Sequence, residues 1–123
     1  MKMTNFINGL NSDISFTKEE RKKIIIESVK QIHWKQKCII AMEEFSELIK
    51  QLSKQMRFFR NRKQILEEMA DAYICLENLK VIFHFTDIDI NKAVDVKLDR
   101  ERKRLKNSIC LGEPINLKRE EQK

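Results

Sequence analysis

Two glycines and one proline in 123 residues leave this chain few means of turning sharply. Gly112 and Pro114 fall near the C-terminus, so neither residue type occurs between Leu10 and Gly112. A many-turned β fold needs such breakers at short intervals, and their scarcity favours long helices. Long apolar runs are also missing. None approaches the about 18 to 20 residues of a membrane span, and no membrane partner is expected. The opening Met1-Lys2-Met3-Thr4-Asn5 lacks the hydrophobic region of a secretion signal, which points to a cytoplasmic location. Cysteine is sparse as well. Cys38, Cys75 and Cys110 form an odd set with no Cys-x-x-Cys spacing, and reduced packing roles suit Cys38 and Cys75 better than a disulfide or a metal site.

What is present suffices for one domain. Hydrophobic residues make up 41% of the chain, enough for a core, although a domain this small gains from a partner subunit. Twenty-five basic residues against 19 acidic ones give a formal charge of +6. That excess suits an anionic partner: a nucleotide, a nucleic acid or a phosphate-rich surface.

Residues 1–16 mix Asn5, Asn8, Gly9, Asn11, Ser12 and Asp13 without a clear period and read as a loosely ordered arm. Thr17-Lys18-Glu19-Glu20 then fits a helix capping box. A first helix is predicted to about His33, with Ile24, Ile25, Val29 and Ile32 inward. A second spans about Lys35 to Met56, where Cys38, Ala41, Met42, Phe45, Leu48, Ile49 and Leu52 keep the i, i+3, i+4, i+7 rule. The basic connector Arg57-Phe58-Phe59-Arg60-Asn61-Arg62-Lys63 follows. A third helix, about Gln64 to Phe85, repeats the pattern with Ile65, Met69, Ala72, Tyr73, Leu76, Leu79 and Phe83. Thr86-Asp87-Ile88-Asp89 caps a fourth, about Ile90 to Asn107. The expected architecture is all-α: a four-helix bundle over 17–107, with a charged tail over 108–123.

Two acidic segments stand out, Glu43-Glu44-Phe45-Ser46-Glu47 and Glu67-Glu68-Met69-Ala70-Asp71. Each places an i, i+3 carboxylate pair, Glu44 with Glu47 and Glu68 with Asp71, at the edge of its helix's apolar stripe. Packed antiparallel, two such helices can bring four carboxylates to one point. Such a cluster is repulsive unless a hard, oxygen-seeking cation sits in it. A single E-x-x-E is more often solvated helix surface, with Glu47 pairing to Lys50. Two pairs in the same register on consecutive helices weigh evenly between the readings.

Glu43-Glu44-x-x-Glu47, the connector, and Glu68-x-x-Asp71 together resemble the E-E-x-x-E … E-x-x-D signature of the MazG-like, all-α nucleoside triphosphate pyrophosphohydrolases. The likeness continues through Leu48-Ile49-Lys50, through the apolar run from Ala70 to Leu79, and through Lys97-Leu98-Asp99-Arg100 and Arg104-Leu105, which are similar to the basic last helix of small phage-type relatives. It covers about Trp34 to Leu105. The resemblance implies hydrolysis of a (deoxy)nucleoside triphosphate to the monophosphate and pyrophosphate, with Mg²⁺ as cofactor or Mn²⁺ as a substitute, in a homodimer or homotetramer. It implies Glu44, Glu47, Glu68 and Asp71 as metal ligands, and a catalytic accessory role for Glu43 beside Glu44. Trp34 is implied to line the base pocket and Lys37 to stand in the nucleotide pocket. The chain departs from the family at Lys37, where relatives often carry Gln, and at Asp95, where some carry Asn; both positions bear on base and sugar selection. Lys97 and Arg100, at i and i+3 on the last helix, are candidate phosphate contacts. Arg104, one turn further, reads as solvated surface.

The alternative class is a non-enzymatic, basic helical protein that binds nucleic acid or a protein partner. Its charge suits that role, but acidic and basic residues are interleaved and no helix-turn-helix or zinc-finger spacing occurs, so nucleic acid is not expected.

Overall fold

The structure, a computed structural model, describes residues 2–107. Five helices and no strand occur among them: α1 (Lys2–Leu10), α2 (Lys18–Val29), α3 (Trp34–Met56), α4 (Arg62–Ile82) and α5 (Asp87–Lys106). The expected tail 108–123 lies outside the described residues. Helix α1 occupies most of the stretch read as a loose arm. Its Met3, Phe6, Ile7 and Leu10 share one helical face despite the intervening Asn and Gly, and α1 packs on α4. Asn11 Nδ2 and Ser12 Oγ then donate back to the carbonyls of Ile7 and Gly9, closing its end.

The chain divides into two compact units after Phe83, inside the expected 17–107 domain. The first holds α1 to α4. Thr17 begins α2 with the expected capping box: its hydroxyl accepts from the Glu20 N–H at 3.1 Å, and the Glu20 carboxylate accepts from the Thr17 N–H at 2.9 Å. Helix α2 ends at Val29, short of the expected His33, because His33 instead caps α3 by accepting from the Lys35 N–H through Nδ1. Helix α3 packs chiefly on α4, and α2 also packs on α4.

Two ties at opposite ends fix α3 and α4 as antiparallel. At one end the Trp34 ring meets the edge of Phe83, with centroids 6.5 Å apart. At the other, Asn61 at the start of α4 donates from Nδ2 to the backbone and side-chain oxygens of Gln51. The turn between the helices is a Schellman motif. Phe59 N–H donates to the Lys54 carbonyl and Phe58 N–H to that of Gln55, with Phe58 in the left-handed region at φ 66°.

The interior of this hairpin is unusual. Its buried apolar residues are only Ala41, Ala72 and Cys75, and Gln51, Asn61, Glu67, Glu68 and Asn78 are buried with them. Small residues let helices approach closely, but they bury little apolar surface. Most of the large apolar side chains expected inward, among them Met42, Ile49, Leu52, Met69, Tyr73, Leu76 and Phe83, are exposed, Ile49 and Tyr73 at 66% each. Ile24 on α2 and Ile32 in the turn after it are likewise exposed where an inward position was expected, whereas Ile25 and Val29 are half-buried.

The second unit, from His84, contains α5. Thr86 and Asp89 form its capping box, so the helix starts at Asp87 rather than at the expected Ile90. Ion pairs one turn apart follow, Arg102 and Lys103 to Asp99 and Arg104 to Glu101. Acidic residues in its first turn and basic ones in its last oppose the helix dipole.

Candidate metal centre

Between the two ties, the middle of α3 faces the middle of α4. Glu44 projects there from α3 and is half-buried. Glu68 and Asp71 project from α4 one turn apart, Glu68 only 7% exposed and Asp71 half-buried. One carboxylate oxygen from each of the three lies within 4.8 Å of the others. The Oε2 atoms of Glu44 and Glu68 are shut off from solvent. Three carboxylates at this spacing repel one another, more strongly where water is excluded. A hard divalent cation fits the donor set, since every donor is an oxygen and the geometry leaves ligand positions for water or a substrate oxygen.

Cys75, one turn beyond Asp71, is buried against this cluster. Burial pushes its thiol up, the Glu44 and Asp71 carboxylates push it further, and Lys37 opposes them. The thiol is therefore held neutral, and Cys38 and Cys75 are both reduced, as the sequence suggested. Lys37 is half-buried on α3 and donates from Nζ to the Ser28 hydroxyl of α2 at 2.8 Å. Seven residues before Glu44, it shares that residue's side of α3.

The structure thus brings together three of the four carboxylates expected as ligands. Glu47, one turn along α3 from Glu44, is exposed and outside the group, and Glu43 is exposed as well. Trp34 opens α3, where it is 47% exposed, stacks on His33 at 5.8 Å and carries Lys35 over its ring at 5.7 Å. Lys97 and Arg100 are exposed on α5, in the second unit.

Sequence reasoning missed the polar residues buried beside the acids. Asn78, two turns past Asp71 on the same side of α4, is 6% exposed, and its buried Oδ1 accepts no hydrogen bond from a described residue. Glu67 is buried too. The i+4 and i+7 spacing of Cys75 and Asn78 from Asp71 was the available signal. It was masked by the assumption that the apolar stripe marks the inner face.

Comparison with protein-family models, with curated proteins and with solved structures gives no match.

Proposed function

We propose that this chain is a Mg²⁺-dependent pyrophosphohydrolase of the MazG-like kind, cleaving a (deoxy)nucleoside triphosphate to the monophosphate and pyrophosphate. One observation carries the reading: Glu44, Glu68 and Asp71, at matching positions of the E-E-x-x-E … E-x-x-D pattern, converge from two helices to within 4.8 Å. A bound divalent ion would neutralise phosphate oxygens and orient water for attack on phosphorus. Glu44, Glu68 and Asp71 hold the ion in this reading, with Glu47 the fourth carboxylate and Glu43 accessory to the water. Lys37 adds a positive charge on the same side of the hairpin. Trp34 offers a ring face for a base; Lys97 and Arg100, at i and i+3 on α5, are the phosphate-binding candidates of the second unit.

The same reading includes a homodimer or homotetramer. The support is the exposed apolar row on each helix: Met42, Ile49, Leu52 and Met56 on α3, and Leu66, Met69, Tyr73 and Leu76 on α4. Each row keeps helical spacing, as a face that packs on another helix does. Exposed apolar rows of this kind are candidate association faces.

A panel of nucleoside triphosphates with Mg²⁺ tests the function, with pyrophosphate and orthophosphate measured separately. Pyrophosphate release that stops on chelation is the expected result. Orthophosphate release, or salt-sensitive duplex binding without turnover, supports a different class of protein.

A further inference from the structure

From Leu48 to Leu66 the chain carries six cations (Lys50, Lys54, Arg57, Arg60, Arg62 and Lys63) and no acidic residue. This stretch contains the α3–α4 turn. At its apex Met56 is 79%, Phe58 93% and Phe59 56% exposed. The Schellman motif there places Phe58 at the position that glycine ordinarily fills, with φ 66°. A phenylalanine in this conformation is destabilising relative to glycine, and at 93% exposure no packing among the described residues offsets that. Strained non-glycine residues of this kind cluster at functional sites.

We propose that this turn is a peripheral contact for an anionic phospholipid surface, with Met56 and Phe58 entering the boundary of headgroup and acyl chain while the surrounding cations meet lipid phosphates. An apolar apex flanked in sequence by cations on both sides matches that interface in both hydrophobicity and charge. The contact needs no membrane-crossing helix, and none of the described helices is long and apolar enough to be one. A nucleic-acid strand fits less well. The Arg57 guanidinium lies over the Phe59 ring at 5.7 Å, leaving Phe58 as the open ring of the pair, and strand binding draws on successive stacking platforms. Residues Met56 to Arg60 offer no amide or hydroxyl side chain to a base edge, and Met56 adds nothing to stacking. Of the two amides flanking the apex, Asn61 is buried and turned inward to Gln51, and Gln55 is half-buried with its Oε1 shut off from solvent.

The test is flotation of the full chain with phosphatidylcholine vesicles, with and without about one-third phosphatidylserine. Binding to the anionic vesicles alone, weakened by salt, is expected. Phe58→Gly separates the contact from the fold: it relieves the left-handed strain, so the melting temperature rises or holds, while vesicle affinity drops about tenfold, equivalent to about 1.4 kcal/mol. Arg57→Gln and Arg60→Gln should each lose about fivefold, the equivalent of about 1 kcal/mol per cation near such a surface. The proposal is overturned if wild type does not float with anionic vesicles at physiological salt, or if Phe58→Gly floats as well as wild type. It is also overturned if that variant loses oligomeric mass, or loses binding to a single-stranded oligonucleotide while keeping its vesicle affinity; the turn then serves a second copy or a nucleic acid.

Discussion

The Asn61 side chain donates from its single Nδ2 to two oxygens of one residue, the Gln51 carbonyl at 2.7 Å and the Gln51 side-chain oxygen at 2.9 Å. Both residues are buried, so the pair clasps the end of α3 to the start of α4 and sets the register in which Glu44 faces Glu68 and Asp71. Asn61→Ala removes both bonds and strands the Gln51 side-chain oxygen. A loss of about 2 kcal/mol is expected in urea denaturation. A midpoint equal to wild type would show that the clasp does not hold the hairpin.

Glu68→Gln and Asp71→Asn should each abolish Mg²⁺-dependent turnover while circular dichroism keeps its helical signal. Wild type freed of metal should gain about 2.7 kcal/mol of stability at a Mg²⁺ concentration 100 times its dissociation constant, and lose it on chelation. Glu47→Gln decides the fourth ligand. Full activity in that variant beside an inactive Asp71→Asn restricts the ligands to the three carboxylates that already converge.

Lys97→Ala and Arg100→Ala test the phosphate contacts. A charge-assisted hydrogen bond contributes about 1.5 to 3 kcal/mol, so each variant should lose one to two decades of kcat/KM. Calorimetric Mg²⁺ affinity without nucleotide should stay near that of wild type. Unchanged kinetics across salt concentrations would return both residues to the solvated face of α5.

Assembly is tested through the outward rows. A dimer or larger species is expected by light scattering at micromolar concentration, and Ile49→Glu or Tyr73→Glu should shift it toward the monomer. These positions are exposed in the single chain, so the substitutions cost the isolated hairpin little. A monomeric wild type at high concentration would remove the dimer and tetramer from the reading.

The capping boxes carry a pH signature. Backbone and side-chain hydrogen bonds from Thr17 hold the Glu20 carboxyl below its ordinary value, and those from Thr86 do the same for Asp89. A carboxyl depressed by folding stabilises the helix above its unfolded value, and that contribution disappears as pH falls through the folded one. Helicity of Glu20→Ala should therefore differ from wild type near neutrality and converge with it as pH falls through the carboxylate range. A gap that persists into acid would show that the Glu20 charge is not what the cap contributes.

Much of the helical layout was legible from local chemistry. Thr17 and Thr86 announce their helices through hydroxyl caps, and the scarcity of glycine and proline lengthens α3 and α4. The carboxylate group was legible from spacing, because an i, i+3 pair on each of two consecutive helices meets when they run antiparallel. Glu47 shows the limit: spacing gives the side of a helix, whereas the packing partner decides which end of the pair turns inward. The orientation of the hairpin was harder to read. Periodicity locates the apolar rows of Met42–Met56 and Leu66–Leu76, but the period is the same whether a row packs within the chain or outside it. Helix α1 was obscured by Asn5, Asn8 and Gly9, whose weak propensity hides the apolar spacing of Met3, Phe6, Ile7 and Leu10. The left-handed Phe58 and His84 are not encoded by any turn residue.

Ala41, Ala72 and Cys75 are the buried apolar side chains of the hairpin, and each lies within one turn of Glu44 or Asp71 on its own helix. They act as a gauge on the gap. Exchanging one for a bulkier residue would spread α3 from α4 and part Glu44 from Glu68 and Asp71, leaving every carboxylate in place on its own helix. Oxygen cages for Ca²⁺ are about 0.3 to 0.5 Å longer in the bond than those for Mg²⁺, so a wider gap would favour the larger ion. In the proposed centre, positions that touch no ligand would thus set the choice between the two ions without altering a single ligating atom.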